Sequence, residues 1–235
     1  MLERINNAFA SVRTFTGNAS HELRTPISLM RTEIEVALLS PRDAEEYRAI
    51  LNRLLEETVR MTNLVENLLS LARADGGAEN LSLAPFPVER LFSSVAGIWE
   101  NPMRKAGIQF NVARPEPAVA ILCEASSIQR LLSILLENAS KYTPSGGSVE
   151  LRAEAKDSSV VFSVEDTGIG IAPLDLPRIF DRFYRAEQMS ESNPTGSGLG
   201  LSLAKWIAER HSTELKVESE LGKGSIFSFE LRRAL

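Results

Sequence analysis

The sequence predicts an α+β chain in two parts: a two-helix hairpin that dimerises into a four-helix bundle, followed by an α/β sandwich domain. Three observations predict it. Residues 2–39 and 43–74 carry apolar residues every three or four positions, the period of helices with a buried face. The stretch Gly76-Gly77-Ala78-Glu79-Asn80 ends that pattern. Beyond it, strand-like alternation at Val149, Leu151, Ala153 and Ala155, and at Phe227, Phe229 and Leu231, is mixed with helical segments. The boundaries that follow are 1–75 for the hairpin, with 1–18 as its leading segment, 76–80 for a linker, and 81–235 for the second domain.

The first helix has a seam of Leu2, Ile5, Phe9, Val12, Thr16, Ala19, Leu23, Ile27, Met30, Ile34 and Ala37. Its steps alternate three and four, with one four-four step at Ala19–Leu23–Ile27, which is a heptad seam with a stutter. Pro26 lies inside this helix and deletes the bond to the Glu22 carbonyl. Ser40-Pro41-Arg42-Asp43 is a break, with Pro41 or Asp43 opening the next helix. There Tyr47, Ile50, Leu54, Met61, Leu64, Leu68 and Leu71 hold the seam, with Glu57 the one miss. Leu51, Leu55, Val65 and Leu69 add a second stripe, wider than a two-stranded seam needs. A symmetric second copy would cover it and complete a four-helix bundle.

The second domain reads as strands at 81–86, 108–112, 119–122, 149–155, 160–164, 214–219 and 227–231. Helices are predicted at 88–105, 125–142 and 199–210.

Composition narrows the function classes. The 235 residues leave room for two modest domains, and 43% hydrophobic content supports a core. A net charge of −5 with mixed signs gives no basic face, so no nucleic-acid partner is expected. The one cysteine, Cys123, excludes an internal disulfide and fits a reducing compartment. No apolar run approaches the roughly 18–20 residues of a membrane span, and no signal peptide is visible. The chain opens inside an amphipathic helix, so it reads as the cytoplasmic part of something longer.

One of only two histidines sits in Ser20-His21-Glu22-Leu23-Arg24-Thr25-Pro26. Neutral imidazole is a good nucleophile near neutral pH, its unperturbed pKa being about 6.5. Glu22 can accept the ring proton and leave the other nitrogen free to attack. Thr25, four residues on, shares the helix face of His21. Either register of the seam puts His21 off the buried positions, facing outward.

Three further stretches carry chemistry. Asp166-Thr167-Gly168-Ile169-Gly170 follows a strand, and its glycines permit close backbone approach. Thr195-Gly196-Ser197-Gly198-Leu199-Gly200 runs into a helix, bringing glycine N–H groups and a helix N-terminus together as a phosphate site. It has no Walker lysine and no leading strand, which excludes the common P-loop and the dinucleotide fingerprint. Asn138-Ala139-Ser140-Lys141-Tyr142 ends a helix with an amide oxygen for a hard cation, a cation for phosphate, and a ring that can stack on a base. Ile179-Phe180-Asp181-Arg182-Phe183-Tyr184-Arg185 reads as an anchored flap, and polar residues 186–195 as a mobile lid.

Taken together, the stretch around His21 resembles the phosphoacceptor box of sensor histidine kinases. The other four resemble the N, G1, F and G2 boxes of their catalytic domain, a Bergerat-type ATP fold. The match covers nearly all of residues 15–232 in family order, and the first box is similar to heavy-metal-type sensors. The resemblance implies ATP and Mg²⁺. It implies that Asp166 accepts from the adenine amino group, with Gly168 and Gly170 shaping that wall and Ser225 near the base. Asn138 would hold Mg²⁺, Tyr142 would stack on the base, and Lys141 and Arg185 would meet phosphates. Gly196, Gly198, Leu199 and Gly200 would close over them. His21 would take the γ-phosphoryl group with Glu22 as base, and Thr25 would position water for dephosphorylating a response regulator. The implied partners are a second copy and a response-regulator receiver domain.

The sequence departs from the family at several positions. Ile134 stands where the family has Asn, and where ATP-hydrolysing relatives have a catalytic Glu. Ser212 replaces a glycine after His211, so that helix is expected to lack a left-handed cap. Asn18 stands where Asp is common. His211 reads as a helix-terminal surface residue. The reading is therefore a histidine kinase core. A non-catalytic pseudokinase scaffold is the alternative that Ile134 favours, and a chaperone- or gyrase-like ATPase lacks its general base.

Overall fold

The computed structural model describes residues 2–75, 81–186 and 196–234, with backbone alone for 2–15, 74 and 75. The expected linker and nearly all of the expected lid, Thr195 included, lie outside the described residues. The chain divides into two compact units, Met1–Gly76 and Gly77–Leu235.

In the first unit, α1 (Leu2–Leu38) runs unbroken through Pro26, and α2 (Ala44–Asp75) returns beside it. Asp43 caps α2 rather than opening it: its Oδ1 accepts the Glu46 N–H at 2.8 Å. The seam read from sequence splits in two. Leu23, Met30, Ala37, Ile50, Leu64 and Leu71 turn inward, buried or half-buried between the helices. Ile27, Ile34, Leu51, Leu55, Val65 and Leu69 remain exposed on the outer side. Glu33 joins Arg53 across the hairpin at 2.9 Å. Glu57, the miss in the pattern, has a side chain only 13% exposed and pairs with Arg60 on its own helix at 3.1 Å.

The second unit contains β1 (Ala84–Pro87), α3 (Val88–Lys105), β2 (Gln109–Ala113), β3 (Ala120–Cys123), α4 (Ala125–Tyr142), β4 (Ser148–Ala155), β5 (Ser159–Asp166), α5 (Gly200–Arg210), β6 (Lys216–Glu220) and β7 (Gly224–Arg232). Strands β1 and β3 make a separate antiparallel ribbon. The others form a five-stranded sheet in the order β2-β4-β5-β7-β6, in which only β2 and β4 are parallel. The first strand starts three residues later than expected, because pairing with β3 begins at Ala84. Its prolines are tolerated because β1 has one neighbour, and Pro87 with φ −65 leads into α3. Smaller shifts of one or two residues apply to β2, β3 and β6.

Register explains the core. Across the inner face run the rows Leu151–Val164–Phe227–Val217, Ala153–Phe162–Phe229 and Ala155–Val160–Leu231. Phe162 stacks on Phe229 with centroids 5.1 Å apart and meets Phe92 of α3 edge-on at 5.9 Å. Helix α4 buries Ile128, Leu131, Leu132, Leu135, Leu136 and Ala139 at three-and-four spacing. The last row of the face, Val149–Asp166–Ser225–Ser219, is polar in three of four places.

Two expectations at the end of α5 are corrected. Ser212 does form the left-handed cap, at φ 57, and the Thr213 N–H bonds to the Ala208 carbonyl at 3.1 Å. The missing glycine costs strain rather than the cap. His211 is half-buried rather than a surface residue. Its Nδ1 lies 2.8 Å from the Ile207 carbonyl and so carries the proton, and its Nε2 accepts the Glu124 N–H at 3.2 Å, where α4 begins. Burial pushes its pKa down, as does Arg210; the Ile207 bond and the Glu124 charge oppose this.

Ser212→Gly should raise stability by about 1 kcal/mol, because a left-handed residue costs that much when it carries a Cβ. The urea midpoint checks it. For His211 the folded pKa lies below its ordinary 6.5. The native state therefore binds fewer protons than the unfolded chain, and the contribution is present above the ordinary value and lost as pH falls through the lowered one. Unfolding in urea over a pH series should show this loss on acidification, and His211→Gln should flatten it.

Candidate active site

His21 is exposed on α1. The Thr25 hydroxyl lies one turn on and donates to the His21 backbone carbonyl at 3.3 Å; Ser20 donates likewise to Thr16 at 2.8 Å. Pro26 has no N–H for the Glu22 carbonyl. Glu22 is half-buried, and neither a hydrogen bond nor an ion pair joins it to the imidazole. Adjacent helical residues do not face each other, so Glu22 must swing to meet the ring.

In the second unit the polar row at the end of the sheet is the floor of a cradle. Asp166 is buried, and its Oδ1 accepts the Gly168 N–H at 2.8 Å. Burial pushes its pKa up, while the backbone amides of Gly168 and Ser225 pull it down and Glu165 adds a smaller upward push. Gly168 is wedged in place. A Cβ there would lie 2.5 Å from the Tyr142 carbonyl and 2.6 Å from Asp166 Oδ1. That same carbonyl accepts the Ile169 N–H at 3.1 Å, which fastens the loop to the end of α4. Gly170 backs against the Glu220 carbonyl.

The end of α4 supplies the charged wall, with Asn138 half-buried on it. Lys141 reaches Gly196 so closely that a Cβ there would sit 2.5 Å from Nζ. Burial pushes the Tyr142 hydroxyl up, Arg185 pulls it down and Glu137 pushes it up. Burial also raises Glu137, and Lys141 opposes it. Arg185 and Gly196, distant in sequence, thus converge on Glu137, Lys141 and Tyr142 at the end of α4.

The glycine loop is held from the flap. Gly198, at φ +67, has a carbonyl that accepts the Phe183 N–H at 2.9 Å, and a Cβ there would lie 2.7 Å from the Phe183 backbone. Phe183 itself sits at φ 64. The flap is anchored as expected: Ile179 is buried, and the Tyr184 hydroxyl donates to Asp175 at 2.6 Å. Leu199 is buried and Gly200 opens α5. A Cβ on Gly200 would lie 3.3 Å from Ile134 Cγ2, so Ile134 packs on the first turn of α5.

Sequence reasoning missed three residues here. Ser219 bonds to the Ile171 N–H, the Gly224 carbonyl and the Ser225 hydroxyl. Thr167 accepts the Ser148 N–H at 2.8 Å. Glu137 lies beside a flagged asparagine. A serine facing a serine across strands is visible only once register is known. Among the described residues, no group of three or more His, Cys, Asp or Glu side chains gathers to hold a metal. No helix among them is long and apolar enough to cross a membrane.

Residues 11–77 match the His Kinase A (phospho-acceptor) domain model, and residues 123–235 match the Histidine kinase-, DNA gyrase B-, and HSP90-like ATPase model. The chain is 34% identical over 221 residues to the sensor protein IrlS of Burkholderia pseudomallei, a match covering 94% of this chain and 47% of that protein. It spans about half the length of the curated relatives it matches. Among solved structures, full-length ShkA in complex with AMPPNP aligns with a TM-score of 0.70 and 29% identity, over 94% of this chain and 46% of that one. Histidine kinase ThkA in complex with response regulator protein TrrA aligns at 0.77 and 22% identity, over 97% and 64%, a likeness of fold. A phospho-acceptor hairpin followed by an ATPase-type sheet domain, matched along nearly the whole chain by a sensor protein, identifies the chain as a member of the sensor histidine kinase family.

Proposed function

We propose that this chain is the kinase core of a two-component sensor, which moves the γ-phosphoryl group of ATP to His21 and from there to an aspartate of a response regulator. The observation that carries the reading is a buried carboxylate, Asp166, in the one polar row that ends the sheet's inner face, inside a glycine-walled cradle, on the same chain as an exposed helical histidine.

In this mechanism an imidazole nitrogen of His21 attacks the γ-phosphorus. The bond from phosphorus to the β,γ-bridging oxygen breaks, ADP leaves, and Glu22 takes the ring proton. Asp166 accepts from the adenine amino group, Gly168 and Gly170 shape that wall, and Tyr142 stacks on the base. Lys141 and Arg185 meet phosphates, while Gly196, Gly198, Leu199 and Gly200 enclose them. One protein oxygen, that of Asn138, fits a magnesium that arrives on the phosphates and keeps its waters, not a resident metal. When bound, that ion supplies neutralisation of phosphate charge. Positioning and charge do most of the work in such transfers.

The outer stripe of Ile27, Ile34, Leu51, Leu55, Val65 and Leu69 is read as the face a second copy covers, closing a four-helix bundle. Burying such side chains contributes about 1.5–3 kcal/mol each. The solved complex of ThkA with a response regulator supports the regulator as partner. Thr25 is assigned a part in positioning water for regulator dephosphorylation. The core is placed on the cytoplasmic side of a membrane-anchored parent. A pseudokinase scaffold is the second reading, favoured by Ile134, which puts an apolar side chain beside Gly200 where the family has an amide.

Incubation with γ-labelled ATP and Mg²⁺ separates the readings. The kinase acquires acid-labile label, the scaffold none, and an ATPase releases free phosphate. His21→Gln should lose all acid-labile label while ATP affinity stays unchanged, and labelling at the wild-type rate would remove the central claim. Asp166→Asn should weaken ATP binding about 10- to 100-fold by calorimetry, since a charge-assisted bond is replaced by an amide that also presents donors. Unchanged affinity would sink that assignment.

A further inference from the structure

We infer that Ser219 is a positioning residue for base selectivity: it fixes the proton of the Ser225 hydroxyl away from the cradle, so that the floor presents only acceptors and selects a 6-aminopurine over a 6-oxopurine. This rests on the reading of the cradle as an adenine-nucleotide site.

The argument is a proton count. Three groups surround Ser219 Oγ: the Ile171 N–H at 2.8 Å, the Gly224 carbonyl at 2.8 Å and the Ser225 Oγ at 2.9 Å. A serine hydroxyl has one proton and two lone pairs. The Gly224 carbonyl can only accept, so it takes the Ser219 proton. The Ile171 amide can only donate, so it takes one lone pair. The second lone pair is left for Ser225, which must therefore be the donor. The reverse arrangement would set two lone pairs against each other at the carbonyl. Once its proton is committed to Ser219, Ser225 Oγ has acceptor capacity alone.

Position turns this count into selectivity. Ser219 pairs with Ser225 and Ser225 pairs with Asp166, three abreast across β6, β7 and β5 on the inner face. Asp166 and Ser225 are both buried, and Asp166 already accepts from the Gly168 amide. An exocyclic amino group offers protons to this row, whereas a 6-oxo group offers lone pairs and is repelled. Asp166 makes the larger contribution. Ser219 adds to it by preventing Ser225 from rotating to donate to a 6-oxo oxygen.

The test is binding of ATP and of inosine triphosphate, with Mg²⁺, to the full chain by calorimetry. Ser219→Ala releases the Ser225 proton and should lower the ATP-to-inosine-triphosphate affinity ratio about three- to tenfold, the worth of one hydrogen bond. Ser219→Thr keeps the hydroxyl and should restore the ratio. Ser225→Ala should lower the ratio by itself, and adding Ser219→Ala to it should lower it no further, because there is no longer a proton to direct. A merely structural Ser219 would weaken both nucleotides alike and would do so in either background. An unchanged ratio in folded Ser219→Ala, or in Ser225→Ala should the first variant not fold, overturns the inference. Wild-type protein that bound neither nucleotide would instead overturn the nucleotide reading beneath it.

Discussion

The second unit depends on keeping one carboxylate buried. Desolvation of Asp166 works against its charge, and the amides of Gly168 and Ser225 are what oppose it. Gly168 can supply its N–H only because it has no Cβ, which would collide with Tyr142 and Asp166. Ser225 supplies its own because β7 is in register with β5. The turn after β5, the end of α4 and the start of β7 are thus constrained by one side chain. The apolar rows behind it, closed by Phe92, Phe162 and Phe229, hold that register against slippage.

The hairpin obeys a different constraint. Each helix has more apolar surface than its partner in the chain can cover. Leu23, Met30 and Ala37 of α1 turn inward while Ile27 and Ile34 do not, though all five belong to one periodic run. The Glu33–Arg53 pair crosses between the helices, but Arg53 is largely exposed and such a pair contributes about 0–1 kcal/mol, so apolar burial carries the hairpin. On α2, Glu57 is tolerated near the seam because Arg60 neutralises it locally.

Legibility in the sequence followed locality. The two glycine stretches, the Asn138–Tyr142 segment and the His21 stretch stand out in the sequence because the residues that prompt each reading lie within a few consecutive positions. Helix ends were readable where a cap is local, though Asp43 and Ser212 show the error in assigning a position from residue type alone. Ser219 was not readable, since its meaning comes from facing Ser225 across strands. His211 was not readable either, because its partner Glu124 lies 87 residues away. The inner and outer halves of the hairpin seam are indistinguishable by period, as both recur every three or four residues.

Helices α4 and α5 are fastened to each other at two places. Ile134 meets Gly200 at one, and His211 takes the Glu124 amide at the other. Glu124 and Ile134 are ten residues apart in one helix, and Gly200 and His211 eleven apart in the other, so the fastenings lie about 15 Å from each other. Two antiparallel helices held at both ends of such a span resist pivoting and sliding more than helices that touch at a single point. The wall that carries Asn138, Lys141 and Tyr142 therefore continues a helix braced at two points, and the glycine segment after β5 is fastened to the end of that same helix, where the Ile169 N–H meets the Tyr142 carbonyl.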